Sequence, residues 1–212
     1  MRHTPLYDVT DPNWVRRLIR EYPWATIVSM TSGGLVASHY PVLVSGEGDE
    51  IVIETHVGRP DERLHELGQH EMLMIFQGPH GYISSSWLHD ESEAVPTWNF
   101  TAVHLHGRPE VLSDDENLAV LERITDYFES QLPEPRFLRG TLANSEYADR
   151  LAKGTVGFRM RATSWVAKNK LGQSRSLADR ERIVAELAAG SPYADPRLAS
   201  DMQRALDEAP PR

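Results

Sequence analysis

The 212-residue chain predicts a mainly β fold with peripheral helices (α+β), built as an antiparallel β-barrel. Three observations lead there. At least six short segments rich in β-branched and aromatic residues follow one another across Gly-containing turns, which is the spacing of antiparallel strands rather than of alternating βαβ units. The helical patterns fall between or after these segments instead of joining each pair. A composition of 40% hydrophobic residues, with no low-complexity tract, suffices for one substantial core. Residues 1–190 are therefore expected as one domain. Residues 191–212, with Pro192, Pro196, Pro210 and Pro211 around one helix, are expected as a peripheral helical tail.

Asp11 and Pro12 open a helix over NWVRRLIREY, with Trp14, Leu18 and Ile19 apolar and Pro23 as its stop. WATIVSM (24–30) and LVASHYPVLVS (35–45) flank the turn TSGG and form a hairpin, and EIVIET (50–55) adds a strand. RPDERLHELGQH (59–70) changes period, with Leu64 and Leu67 three apart and acids in its first turn, so a helix ending near Gly68 is expected. EMLMIFQ returns to strand. GYISSSW (81–87) and VPTWNFTAVHLHGRPEVL (95–112) are expected as two more strands joined by the acidic loop HDESEA (89–94). SDDENLAVLERITDYFESQL (113–132) starts with a capping signal and spaces Leu118, Leu121, Ile124 and Phe128 as one helical stripe. TVGFRMRATSWVAK (155–168) alternates as a closing strand, and NKLGQSRSLADRERIVAELAAG gives a loop and an amphipathic helix.

Charge and composition exclude several functions. With 31 acidic against 22 basic residues the net charge is −9, so a general grip on nucleic-acid phosphates is not expected. The absence of cysteine removes disulfides, iron–sulfur clusters and thiolate nucleophiles. The N-terminus has no apolar signal core and no run approaches the roughly 20 apolar residues of a membrane span, so a cytoplasmic location with no membrane partner is the expectation.

The chemistry-bearing residues cluster. FQGPHGYISSSW (76–87) admits two readings: an ordinary Gly-Pro turn between strands, or a backbone shaped around a ligand, with Gly78 and Gly81 permitting close approach. KNKLGQSRS (168–176) suits a phosphate or carboxylate through Lys and Arg, or caps the next helix through Ser176. His104 and His106 share one strand face but lack a third metal ligand nearby in sequence. His39, His56 and His80 lie near strand ends, where structural histidines are common. His65 falls in a helix just past a strand end. No GxGxxG, P-loop or GxSxG motif is present.

Together FQGPHGYISSSW, VPTWNFTAVHLHGRPEVL and VGFRMRATSWVAKNKLGQSRSLADRERIVAEL resemble the PaiB-like family, the FMN-binding negative transcriptional regulators, over about residues 1 to 190. The resemblance implies a split antiparallel β-barrel of the FMN-binding type, working as a homodimer with a cofactor cleft between barrels. It implies cofactor-binding roles for Gly78, His80, Tyr82, Ser84, Trp98 and Asn99, for His56 and Arg59, and for Lys170, Gln173 and Arg175. Where the family has a stretch like GHLARANPQW this chain has THVGRPDERLH, which loses an aromatic and places His65 just beyond it; where the family has KLSQN it has KLGQS.

A branch of that family, the haem-dependent piperazate synthases, suggests a specific activity. The chain would bind haem b through His65 as axial ligand and close an N5-hydroxylated ornithine, a small amino-acid substrate, through an N–N bond. Iron would act as Lewis acid on the hydroxylamine oxygen while a base takes the α-amine proton. Lys168 is the second possible ligand or base, since a desolvated lysine can act as a neutral amine. Lys168, Lys170 and Arg175 would hold a haem propionate or the substrate carboxylate. The alternatives are an FMN-binding flavin enzyme or sensor, and a repressor; for the last, neither a helix-turn-helix pattern nor a basic face is visible.

Overall fold

The computed structural model describes residues 1–89, 95–190 and 192–208, so most of the expected acidic loop lies outside the described residues. In chain order the elements are β1 Asp8–Val9, α1 Pro12–Glu21, β2 Trp24–Thr31, β3 Gly34–Pro41, β4 Leu43–Ser45, β5 Val52–Gly58, α2 Arg59–Leu64 and β6 Met72–Ile83. A 3-10 turn Ser85–Trp87 follows, then β7 Thr97–Gly107, β8 Pro109–Val111, α3 Asp114–Glu129, α4 Leu142–Ala152, β9 Thr155–Arg161, β10 Ser164–Lys170, α5 Leu177–Ala188 and α6 Pro196–Asp207. The strands form two open sheets, of order β1-β10-β7-β6-β2-β3 and β4-β5-β9-β8. The pairings β1–β10, β2–β3, β2–β6, β4–β5, β5–β9 and β8–β9 are all antiparallel, and the fold is a split β-barrel with surrounding helices. Among the described residues no helix is long and apolar enough to cross a membrane.

The chain divides into two compact units. The first comprises Met1–Thr10, Gln77–Val103 and Val166–Arg212, and the second Asp11–Phe76 and His104–Trp165.

In the second unit the hairpin β2–β3 pairs from Trp24↔Pro41 to Thr31↔Gly34, and β2 pairs with the start of β6 from Thr26↔Ile75 to Ser29↔Met72. The strands bury Ile27, Ile53, Met72, Met74, Phe76, Phe158 and Met160. Helix α3 is closed at its start by a capping box between Ser113 and Glu116, and it buries Val120, Leu121 and Ile124. Three segments expected as single strands are each broken in two: β3 gives way to β4 at Val42, β7 to β8 at Arg108, and β9 to β10 at Ala162 and Thr163. Gly107 marks the second break. A Cβ there would lie 2.5 Å from the Arg161 carbonyl oxygen, so only glycine fits that approach.

Helix α2 is shorter than its sequence pattern suggests. His65 is its C-cap and Glu66 adopts a left-handed φ of 46°, a turn held by the Glu66 carboxylate accepting from Ser32 and bonding His70. Helix α4 and the short β1 have no counterpart in the sequence expectations.

In the first unit β1 pairs with β10, Asp8 opposite Lys168. The FQGPHGYI stretch is not a turn. It is the second half of one continuous strand, β6, which tolerates Pro79 because β2 pairs with β6 only as far as Ile75, leaving no ladder bond from β2 for a proline to break. The core of this unit gathers Ile83, Trp87, Leu88, Leu171, Ile183 and Leu187 with Leu198, Ala199 and Met202 of α6. The helix expected in a peripheral tail thus supplies a full face of the core.

Candidate functional site

Alternation along a strand decides which expected residues can meet a ligand. On β6, His80 and Tyr82 point away from the core while Gly81 and Ile83 are buried. On β7, Trp98 is 55% exposed and its neighbour Asn99 is 1% exposed. Trp98 and Asn99 therefore do not line one wall. The Asn99 amide turns inward and donates to Met202 Sδ at 3.3 Å.

A cleft of about 510 Å³ opens on the outward side, lined by His80, Gly81, Tyr82, Trp98, Tyr193, Ala194 and Asp195. Four rings shape it. His80 stacks near Trp98 at 6.3 Å, Tyr82 meets Trp98 edge-on at 6.4 Å, and Tyr193 tilts against Tyr82 at 4.9 Å. The His80 Nδ1–H donates to the Gly78 carbonyl at 3.2 Å, which leaves Nε2 as an acceptor. Ser84 does not face the cleft's chemistry: its hydroxyl caps the 3-10 turn, accepting from the Ser86 amide.

A second cavity, of about 550 Å³, is lined by Leu88, His89, Val95, Ser174, Arg175, Ser176 and Asp179. Here the VPTWN and KNKLGQSRS segments come together. Arg175 donates to the Val95 carbonyl at 3.2 Å, and the Lys170 ammonium donates to Thr97 Oγ1 at 2.6 Å. Ser176 caps α5, as one reading of the sequence has it. The Asp179 carboxyl is pushed down to about 2, first by the His89 backbone N–H, then by the His89 ring and the Ser176 hydroxyl. Gln173 braces the loop rather than facing outward, accepting from the Leu171 amide at 2.8 Å and donating to the Asn169 carbonyl. Asn169 Oδ1 is a buried acceptor that finds no donor among the described residues. Lys168 is 5% exposed and its ammonium is salt-bridged to Asp8 at 2.6 Å, so the amine proposed as a base is committed to that carboxylate.

The remaining expected residues lie in the second unit. Arg59 donates to the Lys153 carbonyl at 2.7 Å and sits near Glu62 and Asp114. His56 lies edge-on to Tyr40 at 6.3 Å, and burial pushes its imidazole below the ordinary histidine value. His65 is 2% exposed, and both its nitrogens are engaged, Nδ1 with Ser29 Oγ at 2.9 Å and Nε2 with Ser38 Oγ at 3.0 Å. Burial pushes its imidazole below the ordinary histidine value, against the opposing pull of Asp61. Asp61 in turn accepts from the Tyr40 hydroxyl at 2.7 Å, which keeps the carboxyl below its usual range. An axial bond to iron needs a free ring nitrogen, and His65 offers none in this arrangement. Among the described residues no group of three His, Asp or Glu side chains is placed to hold a metal ion.

Sequence reasoning did not single out Tyr193, Asp195, His89 or Asp179. Tyr193 and Asp195 stand between Pro192 and Pro196, a turn signature inside the segment expected as a peripheral tail.

Residues 1–164 match the family described as "Putative FMN-binding domain". A curated relative from Bacillus subtilis, protease synthase and sporulation protein PAI 2, is 32% identical over 186 residues, covering 85% of this chain and 86% of its own. Among solved structures, the FAD and heme binding protein from Mycobacterium smegmatis superposes with a TM-score of 0.55 at 20% identity, covering 88% of this chain and 81% of that one. The flavocytochrome Anf3 from Azotobacter vinelandii superposes with a TM-score of 0.56 at 16% identity, covering 88% of this chain and 77% of that one. At these identities the two structures speak for the fold alone.

Proposed function

This chain belongs to the FMN-binding domain family and is of the PaiB type, and on that premise we propose that its first unit binds FMN, with the ring in the aromatic cleft. The observation that carries this reading is the cleft itself: four rings around a concavity of about 510 Å³, with a separate hydroxyl- and guanidinium-bearing loop in the same unit. The donor set fits the cofactor. Trp98, Tyr82 and Tyr193 offer flat faces to an isoalloxazine, and Arg175, Lys170 and Ser174 would hold a phosphate by charge-assisted and hydroxyl bonds, beside an Asp179 carboxylate already engaged by His89 and Ser176. When bound, FMN supplies hydride or single-electron transfer. The protein's part is to orient the ring, to keep one face against Trp98 out of water, and to hold a hydrogen-bond acceptor at His80 Nε2 beside it.

We propose in addition that the chain works as a homodimer. The outward side of the β2–β3 hairpin leaves Trp24 60%, Met30 60% and Leu35 70% exposed, with Met30 directly opposite Leu35. Light scattering that gave a monomer at micromolar concentration would remove this part of the proposal.

The absorption spectrum of the purified protein tests the cofactor reading. Two broad bands in the near-ultraviolet and blue, released as FMN on denaturation, are expected. A sharp Soret band with no flavin would overturn it in favour of haem. The haem-dependent cyclase has no observation to carry it here, since its proposed axial ligand His65 has both nitrogens bonded to serines.

A further inference from the structure

We infer that Tyr193 and Asp195, both beyond the matched residues 1–164, complete the cleft and make it selective for a flat ring that is uncharged or cationic. The inference rests on the flavin reading, with the isoalloxazine as that ring. Tyr193 is 54% exposed, yet its ring centroid lies 4.9 Å from that of Tyr82, so it presents a second aromatic surface to whatever enters. Asp195 lines the same cleft, and its Oδ1 caps α6 by accepting from the Arg197 and Leu198 amides, each at 3.0 Å.

The position of these two residues is fixed by packing. Leu198, Ala199 and Met202 anchor α6 in the core, and the Leu198 side chain packs against Gly81, where an added Cβ would lie 2.9 Å from Leu198 Cδ2. The Asn99 amide bonded to Met202 Sδ adds a second tie between strand and helix. The connection carrying Tyr193 and Asp195 is thereby held at the cleft.

Charge then selects the ligand. The cleft lining contains one carboxylate and no lysine or arginine. A flat anion placed there meets Asp195 without a compensating cation, whereas aromatic faces attract electron-poor or cationic rings.

The test uses the full chain. FMN and lumiflavin, the ring without its phosphate tail, are titrated into wild type, Tyr193→Ala, Tyr193→Phe and Asp195→Asn, with nicotinate, a flat anion, as competitor. Tyr193→Ala is expected to weaken both flavins by about 3- to 10-fold, the range for loss of one aromatic stacking partner, and Tyr193→Phe to restore them. The fluorescence of bound flavin should rise in Tyr193→Ala, since a stacked phenol quenches it; a merely structural role would not move that signal. Asp195→Asn keeps a competent helix cap, so the fold persists. Nicotinate should displace flavin from this variant about 5-fold better than from wild type, as removal of one nearby charge allows. If wild type binds FMN but Tyr193→Ala leaves affinity and fluorescence unchanged, or nicotinate competes equally with wild type and Asp195→Asn, the inference is wrong and the flavin reading stands. Failure of wild type to bind either flavin overturns both.

Discussion

His65 and Trp98 are treated in opposite ways by this fold. His65, a polar ring, is 2% exposed and has each nitrogen matched to a serine hydroxyl; Trp98, a large apolar ring, is 55% exposed and faces a concavity edged by other rings. The imidazole has already used its bonding capacity inside the protein. The indole has most of its surface still to bury. A residue whose interactions are complete serves the structure, while one left incomplete at a concave site is available to a ligand.

The comparison breaks most visibly at His65. His65→Ala removes a buried ring, opens a cavity and leaves the Ser29 and Ser38 hydroxyls without their partner, so a loss of about 3 kcal/mol in urea unfolding is expected. The folded fraction should bind FMN as wild type does. Loss of FMN binding in protein that is still folded would place His65 in the site and collapse the distinction. Trp98→Ala should do the reverse: FMN affinity falls about 30-fold, the roughly 2 kcal/mol of an aromatic anchor, while the unfolding midpoint stays within about 0.5 kcal/mol of wild type. A variant that melts early yet keeps its affinity would show the indole to be a packing residue.

Acid sharpens the contrast, because the buried histidines sit in the second unit. His65, His56 and His104 are all held below the ordinary value of 6.5, in each case first by burial. Their unfolded forms take up protons before the folded forms do. Stability is thus complete above about pH 7 and declines as pH falls below 6.5, by at most about 1.4 kcal/mol per pH unit for each group. Asp8, Asp61 and Glu66, lowered by their hydrogen-bond donors, add losses only further into acid. A urea midpoint equal at pH 7.5 and 5.5 would contradict this, and His65→Asn should flatten part of the slope. The smallest expected change is that of Ser29→Ala, about 1 kcal/mol, since it deletes one hydroxyl partner of His65 and leaves Ser38 in place.

Periodicity and caps made α1, α3, α5 and the β2–β3 hairpin legible, because Asp11, Ser113 and Ser176 carry local signals that need no tertiary context. The strand breaks were not legible. VPTWNFTAVHLHGRPEVL reads as one run, and only the approach of the Arg161 carbonyl to Gly107 reveals that the chain must turn there. The end of α2 was hidden for the same reason, since the hold on Glu66 comes from Ser32, 34 residues away in sequence. At the site, glycine and aromatic content pointed to Tyr82 and Trp98, but the inward turn of Asn99 depends on a sulfur in α6. Tyr193 escaped notice because a Pro-rich segment near the end of a chain looks solvent-borne until the helix beyond it is seen in the core.

The composition of that core has a consequence for the order of synthesis. The second unit is complete once Trp165 has been made, and its residues begin at Asp11. The first unit draws on Met1–Thr10, then Gln77–Val103, and closes its apolar cluster only with Leu198, Ala199 and Met202. On a ribosome His80, Tyr82 and Trp98 therefore emerge more than 90 residues before the helix that will cover the inner side of their strands. Until then Ile83, Trp87 and Leu88 have no α6 to lie against, and this half of the nascent chain is the one a chaperone would find.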